Sequence, residues 1–324
     1  MSAGFINLNK ISNMKLLLPC TTLLQILTMS CLWGQPSGPF SNKADSLLSE
    51  GNMPEAIIEY RKLFKSEPSN ARLAYNMACA LSIDNSIIRQ FDSCFKYLKI
   101  AVTLDTTFNA LTDPDLLPAR DDKRWAEFED RLISMLNRKY NNMVKDPGYA
   151  KDLWKLQASD QAFFNEIGIA GRKLGMRSSV SSALWRAKLL ISEINQKELS
   201  VLLESKGWPR IENVGSEAAM AAYLVVQHSN GAMQKKYLPD VKRMCESGEL
   251  PWERYALMYD RMCTNENIPQ RYGTHTTYNE KNGTMELYPL EDPSKIDDRR
   301  KEIGLEPLSD YLSKMGIKYI SEGK

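Results

Sequence analysis

His228 is one of only two histidines in the 324-residue chain, and it ends a predicted helix. Ser216 and Glu217 are typical of a helix N-terminus, and the run AAMAAYLVVQH then places Ala218 and Val225 on the same stripe as His228. Because histidine changes charge near neutral pH, His228 is a candidate for proton transfer or ligand contact at the mouth of a pocket. The structural alternative is a helix-end histidine that is hydrogen-bonded to a carbonyl or carboxylate group.

Asp260 is the candidate partner of this histidine. A predicted helix runs from Pro251 to Cys263 and places Asp260 on its bulky apolar side. A carboxylate in that setting needs a partner. His228 would form an acid-base pair with it, and we therefore predict these two residues as the candidate catalytic groups.

Two consecutive arginines near the end of the chain are the best candidates for an anion site. A guanidinium group can hold a carboxylate or phosphate with two hydrogen bonds. The simpler alternative is that these arginines pair with Asp260 and lock helices together. The predicted ligand-binding residues are Arg261, Tyr272, Thr274, Arg299 and Arg300.

Signatures of known cofactor chemistry do not occur in this sequence. It has no glycine-rich phosphate loop, no HExxH, no GxSxG and no cluster of histidine and cysteine ligands. Two histidines in total exclude a multi-histidine metal centre, so we predict neither a metal nor a cofactor. Whether the protein catalyses a reaction stays open from the sequence.

The composition is that of a folded protein without a dominant charge. Hydrophobic residues make up 43% and charged residues 25%, and the formal net charge is +2. Because acidic and basic residues are mixed along the chain, we expect no nucleic-acid binding. Four cysteines lie in the predicted domains, and none forms a CxxC pair. They are predicted either as disulfides, Cys245 with Cys263 or Cys79 with Cys94, or as buried free thiols.

The N-terminus carries a targeting pattern. Lys15 precedes an uncharged apolar run over residues 16–34, which is typical of a signal peptide cleaved after Gly34. A lipid anchor on Cys31 and a retained membrane helix are the two alternatives. In each case the protein is predicted to be periplasmic, secreted or an envelope lipoprotein, with membrane contact only through this segment.

Residues 41–138 are predicted to form a short helical array. Gly51, Ala56, Tyr60 and Pro68 have the spacing of the second helix of a tetratricopeptide repeat, which this segment resembles. A second, degenerate helix pair follows, and a proline-marked element with a closing helix would cap the stack. Such arrays either bind peptides on a concave surface or brace a neighbouring domain.

A second helical domain is predicted over residues 150–324, after a linker with a boundary near Pro147. The alternation around Met285 and Leu287 predicts a β-hairpin over residues 271–288, with Asn282-Gly283 as its turn and Tyr272 to Thr274 on the opposing strand. His275 is expected to lie on a face of that strand. The fold class is therefore mainly α, with one hairpin.

A series of short motifs runs through the second segment: Asp160-Gln161, Gly207-Trp208-Pro209, Val214-Gly215, the helix ending at His228, Asp260-Arg261, Tyr272-Gly273-Thr274, Glu291-Asp292-Pro293 and Asp297-Asp298-Arg299-Arg300. On these motifs the segment resembles the bacterial extracytoplasmic domain-of-unknown-function family 6624 over residues 150–312. The resemblance implies no known reaction. His275 stands where that family usually has glutamine, which makes it a poor candidate for a shared catalytic role.

Two functions follow as hypotheses. The first is an exported module that binds a protein or peptide partner, which the repeat array and the missing catalytic signatures favour. The second is a small hydrolase or ligand-binding domain that uses His228, Asp260 and Arg299 around the hairpin. The two differ in whether these side chains converge on one site.

Overall fold

The computed structural model describes residues 42–84, 90–279, 284–317 and 319. The predicted signal peptide, the alternative lipid site at Cys31 and the Asn282-Gly283 turn lie outside the described residues. Within them the fold is mainly α-helical, as the sequence predicts. No helix in these ranges is both long enough and apolar enough to cross a membrane.

The first segment is an array of helices in which neighbours along the chain pack together. Ala56 and Tyr60 are buried in its core, and the Tyr60 hydroxyl donates a 2.8 Å hydrogen bond to Asp45. Gly51 makes the turn before the second helix with a φ of 79°, as a tight interhelical turn requires. The helices are α1 (Lys43–Ser49), α2 (Met53–Ser66), α3 (Ala71–Ile83) and α4 (Phe91–Leu104).

A cap follows the array. Helix α5 (Asn109–Thr112), a 3-10 turn (Pro114–Leu116) and helix α6 (Leu117–Arg120) lead into α7 (Trp125–Lys139). The carboxylate of Asp113 accepts a 2.9 Å hydrogen bond from the backbone N–H of Asp115 and so begins the 3-10 turn. The apolar face of α7 is buried against the stack, as the spacing of Trp125, Phe128 and Leu132 predicts.

The second segment begins at Pro147, where the linker was predicted to end. Asp146 caps the first helix by accepting a 2.9 Å hydrogen bond from the backbone N–H of Tyr149. The helices are α8 (Pro147–Gln161), α9 (Phe164–Leu174), α10 (Ser179–Lys206), α11 (Ile211–Val214), α12 (Ser216–Gln227), α13 (Gly231–Glu246), α14 (Trp252–Asn265), α15 (Ile296–Glu302) and α16 (Leu308–Lys314).

One hydrophobic core runs through both segments. It extends from Ala44 in the array to Met258 in α14. The ring of Phe108, before α5, lies 5.9 Å from that of Trp154, which is fully buried in α8. Helix α8 contacts α12 and α10, while α13 contacts α14. The array is therefore packed on the second segment and does not stand apart from it.

The hairpin is shorter than predicted. Strands β1 (Thr276–Asn279) and β2 (Thr284–Leu287) pair antiparallel, with Thr276 opposite Leu287. Tyr272 to Thr274 precede the strand instead of forming it, and His275 is buried just before β1 and not on a strand face. The prediction failed here because these residues wrap around a buried carboxylate, which strand periodicity does not encode.

Position 273 requires glycine. Its φ is +71°, and a Cβ atom there would lie 2.7 Å from Cδ1 of Leu308. Close approach of the backbone to α16 therefore requires glycine. The four described cysteines are all buried free thiols, so the disulfide alternative is excluded: Cys79, Cys94, Cys245 and Cys263.

Candidate functional site

His228 forms a hydrogen-bonded dyad with Asp160, a residue that we did not predict as its partner. Nδ1 of His228 lies 2.6 Å from Oδ2 of Asp160. Asp160 is in the last turn of α8, and His228 directly follows α12, which packs along α8. The carboxylate is 1% exposed, whereas the histidine side chain keeps 12% of its surface. The dyad therefore lies at the edge of the core.

Asp160 is held as a carboxylate by its surroundings. Burial alone would raise the pKa of Asp160, but the charges of His228 and Lys188 and the hydrogen bonds from His228 and Gln161 outweigh it and hold that pKa below its ordinary value. Nε2 of Gln161 donates to Oδ2 at 2.9 Å. The Asp160 oxygens are thus oriented before any ligand arrives.

Lys188 contacts Asp160 on the buried side of the dyad. It is buried in α10, its Nζ atom donates to the backbone carbonyl of Asp160, and it lies 3.8 Å from Oδ1 of the same residue. Its ammonium group also lies 4.4 Å from the centre of the Phe164 ring. Burial lowers the pKa of Lys188, and the charge of Asp160 opposes that change.

Since Asp160 is ionised, the His228 Nδ1 atom carries the proton that the carboxylate accepts. Nε2 is the ring nitrogen that does not contact Asp160. Within the described part of the chain Nε2 has no hydrogen-bond partner, and the Phe164 ring lies edge-on to the imidazole ring at a centroid distance of 6.5 Å. A histidine oriented through one nitrogen and free at the other can exchange a proton with a bound molecule.

Asp260 is a structural anchor for the segment after α14. It is fully buried and accepts hydrogen bonds from the backbone N–H groups of Arg271 (2.8 Å), Tyr272 (3.0 Å) and Thr274 (3.0 Å). The Thr274 hydroxyl donates a fourth bond of 2.9 Å. Burial raises the pKa of Asp260, against these hydrogen bonds. All the contacts of Asp260 are local to the 271–274 turn, so it is not the partner of His228.

The two consecutive arginines hold backbone carbonyl groups. Arg299 donates to the carbonyl oxygens of Arg271 (2.8 Å), Glu291 and Asp292 (3.2 Å). Arg300 donates to those of Tyr272 (2.5 Å) and Glu306 (2.6 Å). Neither pairs with Asp260, and both side chains are largely buried. Their geometry explains how the end of the chain is fastened to the 271–274 turn.

Apart from Arg261, the predicted site residues divide into two groups. Asp260, Arg299, Arg300, Tyr272 and Thr274 come together around the 271–274 turn, while His228 lies apart from them in the dyad. Tyr272 contributes an aromatic contact, with its ring 5.8 Å from that of Tyr259. Arg261 is buried, and its Nε atom has no hydrogen-bond partner among the described residues.

Sequence reasoning missed Asp160 and Lys188 as functional candidates. Asp160-Gln161 was among the motifs that carry the family resemblance, so a signal for Asp160 existed, although it gave no role. Lys188 offered no comparable signal, because a lysine within an amphipathic helix ordinarily reaches solvent.

A second polar cluster lies in the array. Ligand atoms of Cys79, Asp113 and Asp115 lie within 4.8 Å of one another. Asp113 already accepts hydrogen bonds from the Tyr75 hydroxyl (2.6 Å) and the Asp115 backbone. Burial raises the pKa of Cys79 well above its ordinary value, which disfavours a thiolate ligand. We therefore assign this cluster a capping role.

Comparisons with known proteins agree with the resemblance read from the motifs. A search of curated proteins and a search of solved structures each found no match. No tetratricopeptide-repeat family was matched over the array. The model of a family of unknown function (DUF6624) matches residues 147–321, which is more than half of the 324-residue chain. The protein is therefore a member of the DUF6624 family, whose function is unknown.

Proposed function

We propose that this protein is a ligand-processing domain in which His228 transfers a proton to or from a bound molecule. The observation that carries the proposal is the 2.6 Å contact between Asp160 Oδ2 and His228 Nδ1, together with the 12% exposed ring and its unpartnered Nε2 within the described ranges. Asp160 would fix the tautomer and stabilise the imidazolium ion that forms during the reaction. Hydrolysis by an activated water molecule is the simplest chemistry for such a pair, because no nucleophilic side chain contacts Nε2.

The test is a hydrolase screen on the purified protein with ester, amide, phosphoester and glycoside substrates. His228→Gln and Asp160→Asn should each lower the rate by about 100-fold or more. Asp298→Asn, at an exposed carboxylate far along the chain, is the matched control and should keep full activity. If wild type hydrolyses none of these substrates, or His228→Gln is as active as wild type, the proposal is wrong.

A second candidate function is protein binding through α10, which one observation favours. This 28-residue helix buries only five side chains among the described residues. Its outer side exposes Val180 (46%), Leu190 (55%), Ile194 (53%) and Val201 (65%). Val180, Ile194 and Val201 occupy one position of a seven-residue repeat, as in a coiled-coil seam. We propose a second copy of the chain as the partner.

Charge supports that choice of partner. Arg186 and Glu193 are exposed, and each directly precedes a seam position in α10. In an antiparallel pair of α10 helices, Arg186 of one copy would face Glu193 of the other, so the pairing would be self-complementary.

The mass of the protein in solution should be that of a dimer at micromolar concentration, and the double variant Leu190→Glu with Ile194→Glu should be monomeric. Ile58→Glu, on an array residue that is 51% exposed, is the matched control. A monomeric wild type at 100-fold higher concentration would exclude this function.

We also propose that the tetratricopeptide-like array braces the second segment and that the chain is exported. The contact between Phe108 and Trp154 favours bracing over peptide binding by the array. Export rests on the apolar run over residues 16–34. Mass spectrometry of the mature N-terminus decides the second point, because an unprocessed start on a cytoplasmic protein would contradict export.

A further inference from the structure

A cavity of about 430 Å³ lies where two distant segments of the chain meet. One wall is the start of α8 with the residues before it, and the other wall is the segment from the end of α10 through α11. The carbonyl oxygen of Asn213 ties the walls together by accepting from the backbone N–H groups of Lys145 (2.8 Å) and Asp146 (2.9 Å). The Tyr149 hydroxyl adds a 2.8 Å hydrogen bond to the carbonyl oxygen of Gly207. The cavity is therefore preformed, and its volume lies within the range of small-molecule sites, roughly 300–1,000 Å³.

The floor of this cavity is apolar and includes an aromatic side chain that is not fully covered. Tyr149 and Pro209 are buried, whereas Trp208 is half-buried. The ring of Tyr237 lies 6.0 Å from that of Trp208 and supports it. Gly207 ends α10 with a φ of 75°, and Pro209 restricts the backbone on the other side of the tryptophan. The indole is therefore a fixed aromatic wall, against which another ring can pack.

The rim of the cavity is positively charged. Three exposed cations line it, Lys145, Lys206 and Arg210. Asp146 is the single carboxylate among the lining residues, so the lining carries an excess of two positive charges. Because like charges repel, this arrangement favours a negatively charged occupant.

Only part of the rim charge is neutralised within the described ranges. The carboxylate of Asp146 lies 3.1 Å from Nζ of Lys206. Arg210 pairs with Glu249, outside the lining, but a guanidinium group has five N–H donors and keeps others for a ligand. Lys145 forms no ion pair with any residue that the structure describes. With Glu249 included, the rim still lacks one negative charge, and Lys145 is the cation without a partner.

We propose that this cavity binds a small organic anion that consists of a flat aromatic ring and one acidic group. The ring would pack against Trp208, and the acidic group would contact Lys145 and Arg210 at the rim. An amine would meet like charges there, and an anion without a ring would leave the apolar floor uncovered. Two sources supply the acidic group, a carboxylate and a phosphate ester.

This site is separate from the His228 dyad, so the inference goes beyond the proposed proton transfer. Tyr149 lies in the first turn of α8, and Asp160 lies in its last turn. The two positions are about 16 Å apart along the helix axis.

Calorimetric titration of the full-length protein with benzoate and with phenyl phosphate tests the proposal. Three further probes each change one feature: cyclohexanecarboxylate lacks the aromatic ring, benzamide lacks the charge, and benzylamine reverses it. Benzoate or phenyl phosphate should bind with a Kd of the order of 1 mM or lower. It should bind at least threefold more tightly than any of the three probes, because the ring and the charge each contribute. Whichever of the two binds more tightly identifies the acidic group.

Four variants locate the binding. Lys145→Gln should weaken it by about threefold to fivefold, as expected for one exposed ion pair, and Trp208→Leu should weaken it by at least about tenfold. Lys99→Gln, at an exposed lysine in α4, is the matched control and should bind as the wild type does. His228→Gln should also bind as the wild type does, which separates this site from the dyad.

The result on Trp208→Leu counts only if that variant folds, and otherwise the comparison of Lys145→Gln with Lys99→Gln decides. The proposal is overturned if neither aromatic anion binds at about 10 mM, or if any of the three probes binds as tightly as they do. Equal binding by Lys145→Gln and Lys99→Gln would also overturn it.

Discussion

Asp260 accepts two hydrogen bonds from Thr274, one from the backbone N–H at 3.0 Å and one from the hydroxyl at 2.9 Å. Both end on Oδ2, while Oδ1 accepts from the backbone of Arg271 and Tyr272. A side-chain carboxylate thus occupies a turn of converging N–H groups that would otherwise bind an anion from solution. The 271–274 turn has its shape because α14 supplies that anion internally.

Replacing this carboxylate by an amide should destabilise the fold. In Asp260→Asn one side-chain atom becomes a donor that faces N–H donors, so we expect a loss of about 2–4 kcal/mol in the free energy of unfolding. Urea denaturation followed by circular dichroism measures the loss. Asp298→Asn, at an exposed carboxylate in α15, should change that free energy by less than about 0.5 kcal/mol. Equal stability of the two variants would contradict the anchoring role.

Gly273→Ala and Gly304→Ala separate steric overlap from backbone strain. Both glycines have a φ near 70°, but an added Cβ meets Leu308 only at position 273. We expect about 1 kcal/mol of destabilisation at Gly304, from strain alone, and at least about 2 kcal/mol more at Gly273. Thermal denaturation of the two variants gives the comparison, and similar losses would mean that Leu308 moves aside without cost.

The dyad predicts energetic coupling between α8 and α12. Asp160→Asn, His228→Gln and the double variant form a cycle in which each single change leaves a buried partner unsatisfied. We expect a coupling free energy of about 1–3 kcal/mol from urea denaturation. The pair Asp298→Asn and His228→Gln is the control cycle, and its coupling should be close to zero. Additive effects in the first cycle would show that the 2.6 Å contact carries no stability.

His275 predicts a specific dependence of stability on pH. Its pKa in the folded chain lies well below the ordinary 6.5, because it is buried and because the positive charge of Arg261 disfavours a second one on the imidazole ring. The unfolded chain therefore binds more protons below pH 6.5, so this contribution is fully present above pH 6.5 and is lost as the pH falls towards the folded pKa.

The His275→Gln variant isolates that effect. Between pH 6.5 and 5 the wild type should lose about 1.5 kcal/mol more in the free energy of unfolding than the variant does. Glutamine also retains an acceptor and a donor, so the variant should fold. Parallel pH profiles of the two proteins would mean that His275 becomes protonated in the folded chain.

The local features of this fold were predictable, whereas the pairings across the chain were not. The helix start at Asp146-Pro147 and the glycine at position 273 follow from capping and backbone rules that act over a few residues. The partner of His228 lies 68 positions earlier. Helical periodicity identifies the buried face of α12, but it does not identify the helix that packs on that face.

The error at Asp260 has a different cause. The sequence predicts a buried carboxylate that needs a partner, and the predicted partners were side chains. The partners are backbone N–H groups, which every residue type except proline carries, so no residue pattern could indicate them. The same reason applies to Arg299 and Arg300, which bind carbonyl oxygens.

Deleting the array should unfold the second segment. Residues 42–138 cover apolar surface of α8, including Trp154, and contribute to one continuous core. A chain that begins at residue 141 should therefore be insoluble or lack a cooperative thermal transition, as measured by circular dichroism. Removal of residues 1–34 alone, as the control, should leave the transition unchanged. A shortened chain that folds would show that the array is an independent module.

Helix α8 contributes to both parts of the molecule. Trp154 meets the array, and Asp160 follows it by six residues, about 9 Å along the helix axis. A helix of this length moves as a rigid rod, so any force that tilts the array also displaces the carboxylate that orients His228. A molecule bound to the array would therefore change the orientation of His228. Binding by the array and proton transfer at the dyad would then be coupled through α8.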